Sequence, residues 1–243
     1  MHNPNVAVIT QARMTSTRLP GKIMLPVNGE PLLAHHLRRL NNRNWQIWVA
    51  TTSKATDDVV QDFCTANQMS CYRGSELNVL DRFYQTAIES GSSILVRVTS
   101  DCPLIDAALI QNGIDVFVAA KNDFAYVSNC FPRTYARGFD FEIFSIHALE
   151  DAYKNASQEF DMEHVTPYLW KNKSGLMQLI NMAQTPDNSH MRLCVDTSED
   201  FVLIKELIEK HDADKMNWQH IEALMNQHPE LVAINKEVEQ KKN

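Results

Sequence analysis

The 243-residue chain carries 30 Asp and Glu against 23 Lys and Arg, which gives a formal net charge of −7 at pH 7. This acidic balance argues against a general nucleic-acid binder and against a protein of anionic membrane surfaces, but it leaves room for a small anionic ligand bound by local positive charge. A hydrophobic fraction of 44% is ordinary for a globular protein, and no apolar run approaches the roughly 18 residues of a membrane span.

Short, β-branched apolar runs predict the strands. The first, at 6–10, is continuously apolar, as expected for a strand that is buried on both faces. Further strands are predicted at 46–51, 93–98, 124–129, 139–144, 175–182 and 191–195.

Helical periodicity predicts helices between and after these strands. Thr197 is placed to cap one of them, with Asp200 as its capping-box partner. The predicted helices cover 32–40, 55–68, 77–90, 104–120, 146–155, 159–171, 197–210 and 217–227.

The alternation of strands with helices predicts a mostly parallel, doubly wound α/β sheet. We expect residues 1–243 to form a single domain, because the sequence contains no repeat and no clear linker. Residues from about 124 to 182 interrupt the alternation and predict an inserted subdomain. The charged tail after Asn235 is expected to be frayed.

The cysteines predict a reducing environment. Their number, five, is odd and no CxxC pair occurs, which argues against a disulfide framework and against a thiolate zinc site. The N-terminus has no basic region followed by a cleavage site, so we expect no secretory signal. Free thiols predict a cytoplasmic protein.

A basic loop follows the first predicted strand. Within residues 11–22, Arg13, Arg18 and Lys22 stand five and four positions apart, and Gly21 allows close approach of the backbone. A triphosphate requires this combination of positive charge, donors and glycine at the carboxyl end of a parallel strand. The loop is not a Walker A motif. An exposed basic turn is the alternative interpretation.

Two carboxylates each follow a predicted strand. Asp101 comes after the strand at 93–98, and Asp196 after the strand at 191–195. Two such carboxylates are able to hold one Mg²⁺ bound to a triphosphate. Helix capping explains either aspartate separately.

Polar groups in two other regions are candidates for contacts with substrate. Asp140 and Glu142 alternate with apolar residues and are predicted to share one face of a strand, where they would bind sugar hydroxyls or simply face solvent. Glu163 and His164 are further candidates, although a single histidine is more often structural. The turn and helix that contain Arg73, Ser75 and Asp81 have structural roles as their default interpretation.

In combination, these segments resemble the cytidylyltransferases that make CMP-activated sugar acids. The loop Ser16-Thr-Arg-Leu-Pro-Gly-Lys22 is similar to that of CMP-Kdo synthetases, and the chain as a whole resembles the spore-coat-polysaccharide-type branch. The matching motifs of that branch include 73–75, 79–82, 100–106, 163–168 and 195–201.

This resemblance implies a Rossmann-like nucleotide-diphospho-sugar transferase fold, with a mostly parallel mixed sheet flanked by helices and a small inserted dimerisation or lid subdomain. It also implies Mg²⁺ dependence, a homodimer and a set of site residues. The catalytic residues would be Arg13, Arg18, Lys22 and Asp101. The nucleotide-binding residues would be Gln11, Ala12, Arg13, Ser16, Arg18, Lys22, Arg73, Ser75, Asp81 and Thr99. Sugar binding would fall to Asp140, Glu142, Glu163 and His164, and metal binding to Asp101 and Asp196.

The sequence therefore predicts an enzyme that transfers CMP from CTP to a sugar acid of Kdo or nonulosonate type and releases pyrophosphate, for polysaccharide synthesis. We expect neither nucleic acid nor membrane as a partner. Two alternatives stay open at this stage: a glycosyltransferase that uses a nucleotide-sugar donor, and a catalytically silent paralogue that binds nucleotide.

Overall fold

A computed structural model describes residues 5–41 and 44–239. Nine strands are described, namely β1 Val6–Gln11, β2 Pro26–Val27, β3 Glu30–Pro31, β4 Gln46–Thr52, β5 Ser70–Gly74, β6 Ile94–Thr99, β7 Ala125–Ser128, β8 Glu142–Ser145 and β9 Gln178–Asn181. Within the same residues the α-helices are α1 Leu32–Leu40, α2 Asp58–Ala66, α3 Val79–Ser90, α4 Ala107–Ala120, α5 Ile146–Asn155, α6 Glu159–His164, α7 Pro167–Trp170, α8 Ser198–His211, α9 Trp218–Gln227 and α10 Pro229–Ala233. Single 3₁₀ turns lie at Lys22–Met24, Ala55–Asp57 and Ala213–Lys215.

Seven strands form one mixed sheet in the order β5-β4-β1-β6-β8-β7-β9. All of its strands run parallel except β8, which pairs antiparallel with β6 and β7. The chain builds outward from β1 to β4 and β5, then crosses over to place β6 on the other side of β1. The predicted α/β class and the mostly parallel mixed sheet are thus confirmed, and the sheet order reverses at β1.

Strand β1 buries both of its faces because every residue from Val6 to Ile9 is apolar. Val6 and Val8 pack with α4 and α8 on one face of the sheet, and Ala7 and Ile9 pack with α3 and α5 on the other. This alternation is the period-2 geometry of a strand with helices on both sides. In the described part of the chain, every helix is too short or too polar to span a lipid bilayer.

Several predicted elements differ in the structure. The prediction missed β5, because its sequence is mixed and its residues are only half-buried at the edge of the sheet. The predicted helix at 159–171 is two short helices, α6 and α7, which are separated at Val165 with φ 71°. The predicted strand at 191–195 is wrong, since its pairing there is limited to a single bridge between Arg137 and Arg192.

The predicted strand at 139–144 is also wrong in its first half, because β8 begins only at Glu142. Gly138 has φ +111°, and a Cβ on it would lie 2.7 Å from the carbonyl carbon of Leu193. The chain turns there instead of extending. Asp140 therefore lies before the strand, and the predicted shared face of Asp140 and Glu142 does not form.

Residues 124–182 supply β7, β8 and β9 to the main sheet. Their predicted role as a dimerisation or lid subdomain stays a prediction, as does the single-domain boundary at 1–243. The tail that is predicted to fray extends past residue 239, and that part of it lies outside the described residues.

Replacement of Gly113 by alanine tests how closely α4 packs on the sheet. An added Cβ would lie 2.5 Å from Phe141 Cε2 and 2.8 Å from Ile143 Cδ1. Overpacking of this kind costs about 1–3 kcal/mol, which outweighs the gain of up to about 1 kcal/mol that alanine brings to a helix. We expect urea denaturation to show a lower free energy of unfolding for Gly113→Ala.

Asn112→Ala is the matched control, because Asn112 is exposed on the same helix. It should retain or gain stability. A Gly113→Ala protein as stable as the parent would contradict the close packing of α4 on Phe141.

Candidate active site

A cleft with a volume of about 440 Å³ opens at the carboxyl ends of β1 and β6. This is where the sheet order reverses, the position at which open α/β sheets bind ligands. Most of the predicted site residues lie on its wall, namely Gln11, Ala12, Arg13, Ser16, Arg18, Lys22, Thr99, Asp101, Asp140, Glu163, His164 and Asp196.

The basic loop after β1 is folded back on itself and fixed to the body of the protein. The amide of Gly21 donates to the carbonyl of Met14 at 2.8 Å, which closes the loop. The amide of Met14 donates to the buried carboxylate of Asp57 at 2.7 Å, and the Thr15 hydroxyl donates to Glu76 at 2.7 Å. These contacts argue against a freely exposed basic turn and bring the end of the loop beneath the cleft.

Lys22 lies between the two predicted metal ligands. Its Nζ is 2.6 Å from Asp101 Oδ2 and 2.8 Å from Asp196 Oδ1. Burial alone would lower the pKa of Lys22, but the two carboxylates outweigh burial and raise it. Burial alone would likewise raise the pKa of Asp101, but the charge of Lys22 and its hydrogen bond lower it to about 2. All three groups are therefore charged at neutral pH.

Helix capping does not explain either aspartate, because neighbouring residues cap both helices. Asp106 accepts from the amides of Ala108 and Leu109 at the start of α4. Thr197 and Asp200 form a capping box at the start of α8. The alternative interpretation of Asp101 and Asp196 as capping residues is therefore wrong.

Two arginines complete the charge cluster around Asp196. Arg18 Nη2 and Arg192 Nη2 each lie 2.7 Å from Asp196 Oδ2. Arg192 also bonds through Nε to the buried carboxylate of Asp200 at 2.8 Å. The cluster thus contains three carboxylates and three cations, so it carries no formal net charge.

The residues that could hold a divalent metal are Asp101 and Asp196. Their oxygens converge on a single cation position, which the ammonium of Lys22 now takes. Carboxylate oxygens suit Mg²⁺, which takes one or two of them together with phosphate oxygens and water. No group of three or more His, Cys, Asp or Glu suited to a metal occurs in the part of the chain that the structure describes.

Three further arginines line the cleft without pairing to any carboxylate among the described residues: Arg13, Arg82 and Arg137. Arg82 is buried, and its Nε has no hydrogen-bond partner. Burial and the like charge of Arg13 lower the pKa of Arg82 to about 10, so it stays charged at neutral pH. The sequence did not place Arg82 in the site, because a charged residue within a helix is expected to face solvent.

A second cavity of about 600 Å³ adjoins the cleft and shares Arg97, Thr99, Arg137, Asp140 and His164 with it. Its wall is partly aromatic, with Phe131 and Trp170 stacked at 4.9 Å between ring centroids. Burial lowers the pKa of His164, which keeps its imidazole neutral at pH 7.

Two of the predicted sugar-binding carboxylates are already paired with arginines in this second cavity. Glu142 accepts hydrogen bonds from Arg97, Tyr126 and Thr166, so it holds Arg97 rather than facing solvent. Asp140 forms a two-pronged pair with Arg133, in which Nη2 lies 2.7 Å from Oδ2.

Three predicted nucleotide-binding residues lie away from the walls of both cavities. Arg73 bonds to the carbonyls of Thr52 and Lys54 at 2.9 and 2.7 Å. The Ser75 hydroxyl accepts from the amide of Asn78 just before α3. Asp81, in the first turn of α3, accepts from Gln85 and Tyr153. All three make structural contacts of the kind that their default interpretation expects.

The chain is similar to known proteins in both sequence and fold. A family profile described as cytidylyltransferase matches residues 7–234. The spore coat polysaccharide biosynthesis protein SpsF of Bacillus subtilis is 30% identical over 240 residues, which cover 93% of this chain and 96% of that protein. A 3-deoxy-manno-octulosonate cytidylyltransferase of Geobacter sulfurreducens is 32% identical over 112 residues, 45% of this chain and 44% of that enzyme.

The solved structure of a cytidylyltransferase from Leptospira borgpetersenii superimposes with a TM-score of 0.87 at 30% identity, over 99% of this chain and 100% of that one. The Rossmann-like nucleotidyltransferase fold implied by the sequence motifs is thereby confirmed. The family profile, the curated relative and the solved structure agree on the family of this chain. This chain therefore belongs to the cytidylyltransferase family.

Proposed function

We propose that the protein transfers CMP from CTP to a hydroxyl group of a sugar acid and releases pyrophosphate, with Mg²⁺ as the cofactor. The observation that carries the proposal is the distribution of charge in the cleft. The centre, around Lys22 and its aspartates, is balanced, whereas Arg13, Arg82 and Arg137 form no ion pair with a carboxylate in the described residues. The charges of Asp57 and Glu76 act on Arg82, but burial and the charge of Arg13 outweigh them.

Arg13 and Arg82 fit the phosphate chain of the nucleotide. Both line the cleft but not the second cavity, and burial together with the like charge of Arg13 lowers the pKa of Arg82. Two neighbouring guanidinium groups that form no ion pair favour a multiply charged anion, to which each donates charge-assisted hydrogen bonds. Arg18 and Lys22, released from their aspartates, would add to this charge as pyrophosphate departs.

Asp101 and Asp196 would hold the Mg²⁺. When bound, the ion supplies positive charge against the phosphate oxygens. The residues of the chain would hold the acceptor and the nucleotide in line, because phosphoryl-type transfer depends mainly on positioning and charge. The oxygen of the acceptor hydroxyl would then bond to the α-phosphorus as the bond to the bridging oxygen of pyrophosphate breaks, and the hydroxyl proton would pass to solvent.

The second cavity fits the acceptor. Arg137 borders both cavities and supplies one uncompensated positive charge, which matches the single carboxylate of a sugar acid. His164, which is neutral, offers a hydrogen-bond acceptor to a sugar hydroxyl, and Trp170 and Phe131 offer an apolar wall. The half-length match to an octulosonate cytidylyltransferase supports an acid as acceptor, and SpsF supports a product used for surface polysaccharide.

The resemblance also implies a homodimer, and the free cysteines imply a cytoplasmic location. Both stay predictions.

The proposal is tested by nucleotide binding followed by turnover. Thermal unfolding is measured with CTP, UTP, ATP and GTP, each with and without Mg²⁺. A ligand at about 100 times its dissociation constant adds roughly 2.7 kcal/mol of stability, and we expect this gain for CTP with Mg²⁺ only. Pyrophosphate release is then measured with a panel of sugar acids and the matching neutral sugars.

Asp196→Asn is the inactive control for that assay, with an expected loss on the order of 10²–10³ in turnover. Preference for another triphosphate would contradict the assignment of CTP as the substrate. Transfer from a nucleotide sugar without pyrophosphate would indicate a glycosyltransferase instead, and binding without turnover on any acid would indicate a silent paralogue.

Arg13→Met and Arg82→Met test the phosphate contacts. A hydrogen bond to a charged group is worth about 1.5–3 kcal/mol, which corresponds to a loss of roughly 10- to 150-fold in affinity. We expect CTP to lose this affinity and CMP, which lacks the β- and γ-phosphates, to lose less, as measured by titration calorimetry. Arg38→Met is the control, because Arg38 is half-exposed and pairs with Glu30 outside the cleft. Equal losses for CTP and CMP would contradict the assignment to the phosphate chain.

Arg137→Met tests the acceptor carboxylate. We expect the KM for the sugar acid to rise by about tenfold or more, on the same 1.5–3 kcal/mol scale, while the affinity for CTP stays near that of the parent. The deciding control is the matched neutral sugar, because Arg137→Met should change its KM little. If the acid and the neutral sugar lose equally, Arg137 does not bind the carboxylate.

A further inference from the structure

We propose that Lys22 occupies, in the nucleotide-free protein, the cation position that the divalent metal takes during the reaction, so that the metal binds tightly only together with the nucleotide. This inference rests on the proposed function. It gives Lys22 a second role beside charge neutralisation, as the residue that sets the order in which metal and nucleotide bind.

The geometry places the ammonium where a metal ion would lie. Nζ lies 2.6 and 2.8 Å from one oxygen of each predicted metal ligand, Asp101 and Asp196. The Lys22 side chain is only 9% exposed, so it does not share this position with bulk solvent. A divalent ion that uses the same two oxygens has to displace Nζ from both.

The charges around the position oppose a metal that arrives alone. Asp196 already pairs with Arg18 and Arg192 in addition to Lys22, and the whole cluster has no formal net charge. A divalent cation would add two positive charges next to three cations. Like charges at this distance repel strongly in a partly buried site.

A bound nucleotide changes that balance. Its phosphate oxygens accept hydrogen bonds from Lys22 and Arg18, which frees Asp101 and Asp196, and they are themselves ligands for the metal. Metal and nucleotide therefore strengthen each other's binding. Coupling between two ligands is typically on the order of 5- to 150-fold in affinity.

A purely structural ion pair makes a different prediction. Removal of Lys22 would then leave the partly buried Asp101 without its ion-pair partner and destabilise the protein, and a divalent metal would not restore the stability. The two roles are thus separated by the effect of the metal on a variant that lacks the ammonium.

The experiment compares Mn²⁺ binding without nucleotide in the parent and in Lys22→Met, by electron paramagnetic resonance of free Mn²⁺ and by thermal unfolding. We expect Lys22→Met to bind Mn²⁺ about tenfold more tightly or better, within the usual range of such couplings, and to regain thermal stability with Mn²⁺. The parent should gain no stability from Mn²⁺ alone. Lys22→Gln, which keeps a hydrogen-bond donor, provides a second variant if Lys22→Met folds poorly.

Two control variants test whether Mn²⁺ binds at Asp101 and Asp196. Lys154→Met removes an exposed lysine that pairs with Glu150, and it should bind Mn²⁺ as the parent does. Lys22→Met combined with Asp196→Asn should lose the affinity gained. The inference is overturned if neither Lys22 variant binds Mn²⁺ more tightly than the parent, or if the parent binds Mn²⁺ alone as tightly as it does with CTP. The comparison without nucleotide is independent of the proposed reaction, which fails separately if the parent releases no pyrophosphate.

Discussion

The ammonium group of Lys22 joins three distant parts of the chain. Lys22 ends the loop after β1, Asp101 follows β6, and Asp196 precedes α8. Without the lysine, Asp101 would lose its ion-pair partner beside the carboxylate of Asp196, and like charges repel in a partly buried cleft. One side chain therefore ties the end of the loop to both carboxylates, while the contacts of Met14, Thr15 and Gly21 fix the rest of the loop.

The cations that line the cleft differ in whether they form ion pairs. Arg18, Arg192 and Lys22 are satisfied by aspartates, whereas Arg13, Arg82 and Arg137 lack such partners in the described part of the chain. Arginines that line a cleft without an ion pair favour an anionic ligand, which supplies the missing partner. Under the proposed function, the triphosphate would meet Arg13 and Arg82, the carboxylate of the acceptor would meet Arg137, and a neutral acceptor would leave Arg137 unused.

The sequence predicted the centre of the site better than its borders. The loop from Gln11 to Lys22 and Asp101 are local patterns next to strongly apolar strands, and such strands fix where their ends lie. Asp196 was predicted from its position before a helix, although the strand predicted ahead of it does not form. Arg82 was not predicted to lie in the site because its burial depends on how α3 packs, which the helical pattern of that segment does not reveal. The prediction of a strand over the first half of 139–144 was wrong for a related reason. Gly138 there lies against the backbone of Leu193, a contact between positions more than fifty residues apart.

The two aspartates show why a local rule was a poor guide at this site. An aspartate before a helix is usually read as its cap, yet Asp106 caps α4, and Thr197 with Asp200 caps α8. Behind Asp101, the buried imidazole of His36 bonds to the Thr10 hydroxyl at 2.8 Å and to the Cys102 carbonyl at 2.9 Å, and burial keeps it neutral by lowering its pKa to about 4. Because neighbouring residues satisfy the helix ends and a neutral histidine fixes the backbone, Asp101 and Asp196 are left to interact with cations. The capping role falls to residues one to five positions further along the chain, which leaves Asp101 and Asp196 available for the proposed chemistry.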